Sequence, residues 1–115
     1  MTDMSSNKGV VNRYRKGRIA EKKVVNWLAD HNFKNIRRSK GSRGPADIYA
    51  RSPTGIKSYI QVKSGTARMT ADEKRHLRSL AKKRGGFAAE VHKGEGRNYR
   101  MKPLGNWSRR KRKTL

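Results

Sequence analysis

Residues 46–63 read ADIYARSPTGIKSYIQVK, and the fold follows from how this stretch turns back on itself. Ala46 to Arg51 reads as a strand. Pro53-Thr54-Gly55 carries turn chemistry, because proline presets φ and glycine accepts conformations closed to other residues. Lys57 to Lys63 is a second strand, with Tyr59 and Gln61 on one face and Ile60 and Val62 on the other. A turn centred near residue 55 gives an antiparallel hairpin in which Asp47 faces Lys63. Facing residues share one side of a sheet, and Gln61 lies two residues before Lys63. One carboxylate, one carboxamide and one ammonium therefore gather on a single face.

Working outward, Ala20, Val24, Trp27 and Leu28 recur at helical spacing between Arg15 and His31, and Asn32 ends the pattern. Phe33 to Arg38 reads as a short strand and Ser39 to Gly44 as a loop. After a second loop, Ser64 to Met69, the sequence Thr70-Ala71-Asp72-Glu73 has the form of a capping box. The helix it opens has Leu77, Leu80 and Ala81 as its apolar stripe and stops at Gly85-Gly86. Phe87 to His92 reads as a strand and Tyr99 to Leu104 as an edge strand. Helix, three strands, helix, then one or two strands predicts an α/β (α+β) domain: a small mixed sheet with a helix on each side. The domain spans residues 13–104. Residues 1–12 read as a flexible N-terminal segment and 105–115 as a basic C-terminal tail, whose last eight residues, SRRKRKTL, carry five basic side chains. No internal repeat is visible.

A length of 115 residues suits one domain. Nothing approaches the run of about 18 apolar residues that a membrane span needs. The N-terminus lacks the apolar segment of a secretory signal. The absence of cysteine excludes disulfide scaffolds, zinc knuckles and thiol catalysis. Both features suit an intracellular, cytoplasmic protein. Lys and Arg total 31 against 8 Asp and Glu, a formal charge of +23. Such a charge on so small a body repels itself unless a polyanion balances it. Nucleic acid is the expected partner, ahead of an anionic membrane surface. Basic residues at positions 15, 16, 18, 22, 23, 37, 38, 40 and 43 surround the hairpin cluster in sequence, as backbone-phosphate contacts without base specificity would.

In such a chain each acid weakens affinity for a polyanion, so an acid in an ordered element needs a reason. Glu21 lies at the border of the first helix's apolar stripe, where the helix can deliver it to Asp47 and Lys63. Two carboxylates with a nearby amide or carbonyl oxygen suit Mg²⁺, a hard ion that takes oxygen ligands and keeps several waters. An adjacent lysine stabilises charge developing on a phosphate under attack. Each residue also has an ordinary structural reading: Asp47 as a turn residue, Lys63 as a surface base, Gln61 as an outward strand residue, and Glu21 as an ion-pair partner of Arg18. Thr70 and Glu73 read first as a cap. His31, His76 and His92 lack metal-ligand spacing and read as surface or border residues.

Glu21, then Gly44-Pro45-Ala46-Asp47, then Gln61-Val62-Lys63 resembles the PD-(D/E)xK nuclease signature. More closely, the chain resembles the archaeal-type Holliday junction resolvases, over roughly residues 13 to 104. Tyr14-Arg15-Lys16-Gly17 followed by Glu21 is similar to their N-terminal block, and Arg38-Ser39-Lys40-Gly41-Ser42 to the loop before their metal-binding aspartate. Ile60-Gln61-Val62-Lys63 resembles their central strand, and Lys83-Arg84-Gly85-Gly86 the turn after their second helix. The resemblance implies a restriction-endonuclease-like core and a homodimeric endodeoxyribonuclease. It implies Mg²⁺ dependence, with Mn²⁺ as an alternative ion, and hydrolysis of phosphodiesters in four-way or related branched DNA. It assigns metal binding to Glu21, Asp47 and position 61, and placement or activation of the attacking water to Lys63. It gives backbone-phosphate contacts to Arg38, Ser39 and Ser42, with Arg15, Lys16, Arg18, Lys22, Lys40 and Arg43 as further nucleic-acid contacts. Position 61 departs from the family, which has Glu or Asp where this chain has Gln. The site then holds two formal negatives rather than three, and Mg²⁺ binds more weakly. Glu73 and the Val62 backbone carbonyl are the compensating oxygens. The alternatives to an active nuclease are a catalytically weakened DNA-binding module of the same fold, or a small basic RNA-binding protein whose acids are only structural.

Overall fold

In the computed structural model, residues 17–39 and 44–108 are described. Helix α1 (residues 17–30) is followed by β1 (Lys34–Arg38), β2 (Ile48–Arg51), β3 (Lys57–Ser64), α2 (Ala71–Arg84), β4 (Phe87–Lys93) and β5 (Tyr99–Asn106). The five strands form one sheet in the order β1-β2-β3-β4-β5. The first three are antiparallel neighbours, α2 carries the chain across to β4, which lies parallel to β3, and β5 returns antiparallel. This is the mixed sheet expected from the order of elements, with both late strands formed.

The sheet separates two apolar clusters. Ala20, Val24 and Leu28 of α1 pack on Ile48, Ile60, Val62 and Val91. Leu77 and Ala81 of α2 pack with Ala46, Tyr59, Met69 and Ala88. Trp27 and Phe33 border the first cluster, and Trp107, which was not among the expected core residues, borders the second. Its N–H donates to the Gly86 carbonyl at 2.6 Å, so ordered packing continues past residue 104. No helix among the described residues is long and apolar enough to cross a membrane.

Asn32 ends α1 as the sequence suggests. It takes the left-handed conformation (φ 70°), and the next N–H, from Phe33, reaches back to the Leu28 carbonyl at 3.0 Å. At the start of α2, the Thr70 side chain accepts the Glu73 N–H while the Glu73 carboxylate accepts the Thr70 N–H, so both halves of the capping box form. At its end, Gly86 brings the backbone so close to β3 that a Cβ there would sit 2.6 Å from the Lys57 carbonyl oxygen.

Two expectations about the hairpin change. The turn centres one residue earlier than expected: Ile48 faces Ile60 and Arg51 faces Lys57. The pairing is regular only from Ile48, so Asp47 lies just beyond it and does not face Lys63. A one-residue move of the turn centre shifts pairing by two, which preserves the side of the sheet, so the cluster survives the correction. The regular strand also begins at Ile48, not Ala46. Asp47 N–H still donates to the Ile60 carbonyl at 2.8 Å, but the Val62 N–H is met by the Asp47 carboxylate. A side chain thus replaces the next rung of the ladder.

Candidate active site

At the start of β2 its antiparallel neighbour β3 runs on past it, and a cleft of about 810 Å³ opens between this end of the hairpin and α2. Asp47, Gln61, Val62 and Lys63 line it from the sheet, and Glu73, His76, Ser79, Leu80 and Lys83 from the helix. The three residues expected to share a face therefore do so. They reach the cleft because odd-numbered positions of β3 face α2 while Ile60 and Val62 fill the core under α1.

Asp47 Oδ2 accepts the Val62 N–H at 2.9 Å. A residue's N–H and C=O leave a strand on the same edge, so the Val62 carbonyl also faces Asp47. Burial pushes the Asp47 carboxyl up to about 6. The Val62 N–H opposes that rise, Glu21 and Glu73 add to it by like-charge repulsion, and Lys63 opposes it.

Lys63 Nζ donates to Glu73 Oε2 at 3.2 Å, and Glu73 Oε1 accepts the Thr70 N–H at 2.9 Å. Glu73 thus caps α2 and reaches into the cleft at the same time. The Thr70 N–H above all, and then Lys63, hold its carboxyl below the usual range against an opposing push from burial.

Glu21 does not line this cleft. It pairs with Arg38 at 3.2 Å, not with Arg18, and acts on Asp47 only through its charge. Arg38, expected on phosphate, is thereby engaged within the protein, and a second contact ties it to the Arg18 carbonyl at 3.5 Å. Ser39 N–H donates to the Asp47 carbonyl at 2.8 Å, so the loop after β1 is tied to the site's aspartate. Arg18 and Lys22 are exposed on α1. Arg15, Lys16, Lys40, Ser42 and Arg43 lie outside the described residues. Among the described residues, no three His, Cys, Asp or Glu side chains gather as a metal site would require. The oxygen donors that line the cleft from the sheet are the Asp47 carboxylate, the Gln61 carboxamide and the Val62 backbone. They fit a hard cation that keeps several waters, with fewer charges than three carboxylates would bring.

His76, Ser79 and Lys83 were missed as cleft residues. The available signal was their spacing: Glu73, His76, Leu80 and Lys83 recur at three and four residues on the flank of the Leu77 stripe. His31 Nδ1 lies 2.8 Å from the Trp27 carbonyl and His92 Nε2 2.7 Å from the Gly65 carbonyl, in keeping with border positions.

No family model and no curated protein matches this sequence. Among solved structures it is similar to Hjc, a Holliday junction resolvase of the archaeal hyperthermophile Archaeoglobus fulgidus. The TM-score is 0.65 and the identity 26%, over 77% of this chain and 73% of that one. Over most of its length, this chain has the restriction-endonuclease-like α+β fold of an archaeal-type Holliday junction resolvase.

Proposed function

We propose that this chain is a divalent-metal-dependent endonuclease that cuts four-way or related branched DNA. One observation carries the reading: Asp47, Gln61 and Lys63 meet in a single cleft at the open end of a hairpin, within a fold shared with a junction resolvase. The charge of +23 supplies phosphate attraction that is blind to sequence, which suits a substrate recognised by shape.

In this reading Asp47, the Gln61 carboxamide oxygen and the Val62 carbonyl hold Mg²⁺ or Mn²⁺. When bound, the ion supplies a polarised water and stabilises charge on the phosphate. Asp47 must be ionised to serve, so protons compete with the metal for its carboxylate and cutting falls as pH is lowered. Lys63 orients the attacking water and neutralises charge on the phosphate oxygens. Lys83, on the α2 wall, attracts the scissile strand. A four-way junction is resolved by two opposed cuts and each chain supplies one cleft, so the acting species is a homodimer.

The test uses labelled four-way junction, linear duplex and RNA, each with and without Mg²⁺. Paired cuts near the branch point, only with Mg²⁺ and only in the junction, are expected. Gln61, which brings no charge, favours a second reading: a junction binder that has lost catalysis. Tight, salt-sensitive junction binding without any metal-dependent product supports that reading over the first. Preference for RNA over junction in competition overturns both.

A further inference from the structure

We propose that Glu73 is the positioning residue for Lys63, its carboxylate reaching from the first turn of α2 to hold the lysine of the cleft. This rests on the nuclease reading of the same cleft.

Lysine is a point charge on a flexible four-carbon stem, and a useful amine must be held. Gln61, two residues before Lys63, offers no charge to hold it. Asp47 has one oxygen committed to the Val62 N–H. Glu73 fills the vacancy from the opposite wall. Its Oε1 is pinned by the Thr70 N–H at 2.9 Å, its own N–H is pinned by Thr70 Oγ1 at 3.1 Å, and its Oε2 takes Lys63 Nζ at 3.2 Å. The Lys63 side chain is only 19% exposed, against 39% for Glu73, so most of the lysine lies within the cleft that both residues line. A carboxylate fixed to a helix terminus thus fixes the amine in turn. The arrangement balances Lys63 with an acid that lies outside the hairpin altogether.

The cap and the charge can be separated, because a capping box accepts Gln as well as Glu. Glu73→Gln keeps the cap and removes the charge facing Lys63. Thr70→Ala removes the capping side chain and leaves the Glu73–Lys63 pair. Glu73→Gln should melt with the wild type, lose about 100-fold in kcat and keep its KM for the junction, as expected when a reacting group is misplaced. Thr70→Ala should melt about 5 °C lower and keep the wild-type kcat. A purely structural Glu73 predicts the reverse order, with kcat following Tm.

A second readout needs no activity. In protein labelled with ¹⁵N-lysine, the ammonium signal of Lys63, assigned with Lys63→Arg, should be protected from exchange in the wild type and in Thr70→Ala. It should be lost in Glu73→Gln. Persistence of that signal in Glu73→Gln, or an unchanged kcat, overturns the proposal. If the wild type cuts nothing, the nuclease reading falls and the catalytic role falls with it, while the ammonium signal alone decides whether Glu73 holds Lys63.

Discussion

The two faces of β3 do opposite things with one backbone. Toward α1, Ile60 and Val62 are 0% and 9% exposed and join the apolar cluster under that helix. Toward α2, Tyr59 is buried, but Gln61 and Lys63 emerge into an open cleft. The difference comes from what stands above each level of the strand. Leu77 and Ala81 cover the early part of the α2 face, whereas the first turn of α2 presents Glu73. A fold that needs a core on both sides of a thin sheet has given one end of one side to polar groups. Asp47 bears the cost of that choice, as a carboxylate with its pKa raised to about 6.

The sharpest way to break this contrast is to disable the polar side alone. Lys63→Ala and Asp47→Asn should each reduce junction cutting by about 10³-fold, the scale seen when a stabiliser of transition-state charge is removed. Junction binding in a gel-shift assay should persist in both. Wild-type cutting by Asp47→Asn would remove this aspartate from the chemistry.

The apolar side should respond in the opposite manner. Ile60→Ala opens a cavity between α1 and the sheet and should cost about 3 kcal/mol. Gln61→Ala, one residue along the same strand, should cost less than about 1 kcal/mol. Urea unfolding of the two variants measures the gap. Equal losses would mean that the faces are not energetically distinct.

The Asp47 carboxyl offers a third test, in pH. Its folded pKa, about 6, lies above the ordinary 3.8. The folded state therefore holds the proton more tightly than the unfolded chain. The stability this contributes is fully present below about pH 3.8 and is lost as pH rises through about 6. Asparagine carries no such charge and keeps an oxygen for the Val62 N–H. Asp47→Asn should thus be more stable than the wild type at pH 8, by up to about 3 kcal/mol, with the advantage gone at pH 4. An advantage independent of pH would assign the effect to packing instead.

Much of this was legible in the sequence. The helical stripe of Ala20, Val24 and Leu28, the alternation along β3 and the capping box at Thr70 are local signals, and each produced the element it announced. The turn centre was not local enough. Placing it at Thr54 instead of Gly55 moved the pairing by two residues and took Lys63 away from Asp47, and only the two-residue period of a strand kept the cluster on one face. The partner of Glu21 was out of reach for a different reason. Arg38 comes from the strand after α1, and no periodicity links residues 17 apart in the chain. Glu73 was legible as a cap and as a compensating oxygen but not as the partner of Lys63, because its second oxygen meets Lys63 through packing of α2 on the sheet.

The smallest effect tests whether Gln61 belongs to the cleft's chemistry or merely lines it. Gln61→Glu places a second carboxylate in the cleft that Asp47 lines, where like charge further disfavours ionisation. Without divalent ions, the variant should be less stable than the wild type at pH 8 by about 1 kcal/mol. With Mg²⁺ the order should invert. The added charge should tighten binding about tenfold, and ligand linkage converts that factor into about 1.4 kcal/mol at saturation. Melting curves of both proteins, with EDTA and with Mg²⁺, read the two signs directly. A crossing of the curves identifies position 61 as a ligand position that this chain has left uncharged. Parallel curves would leave Gln61 as a wall of the cleft, with the metal, if it binds, held by Asp47 and backbone oxygen.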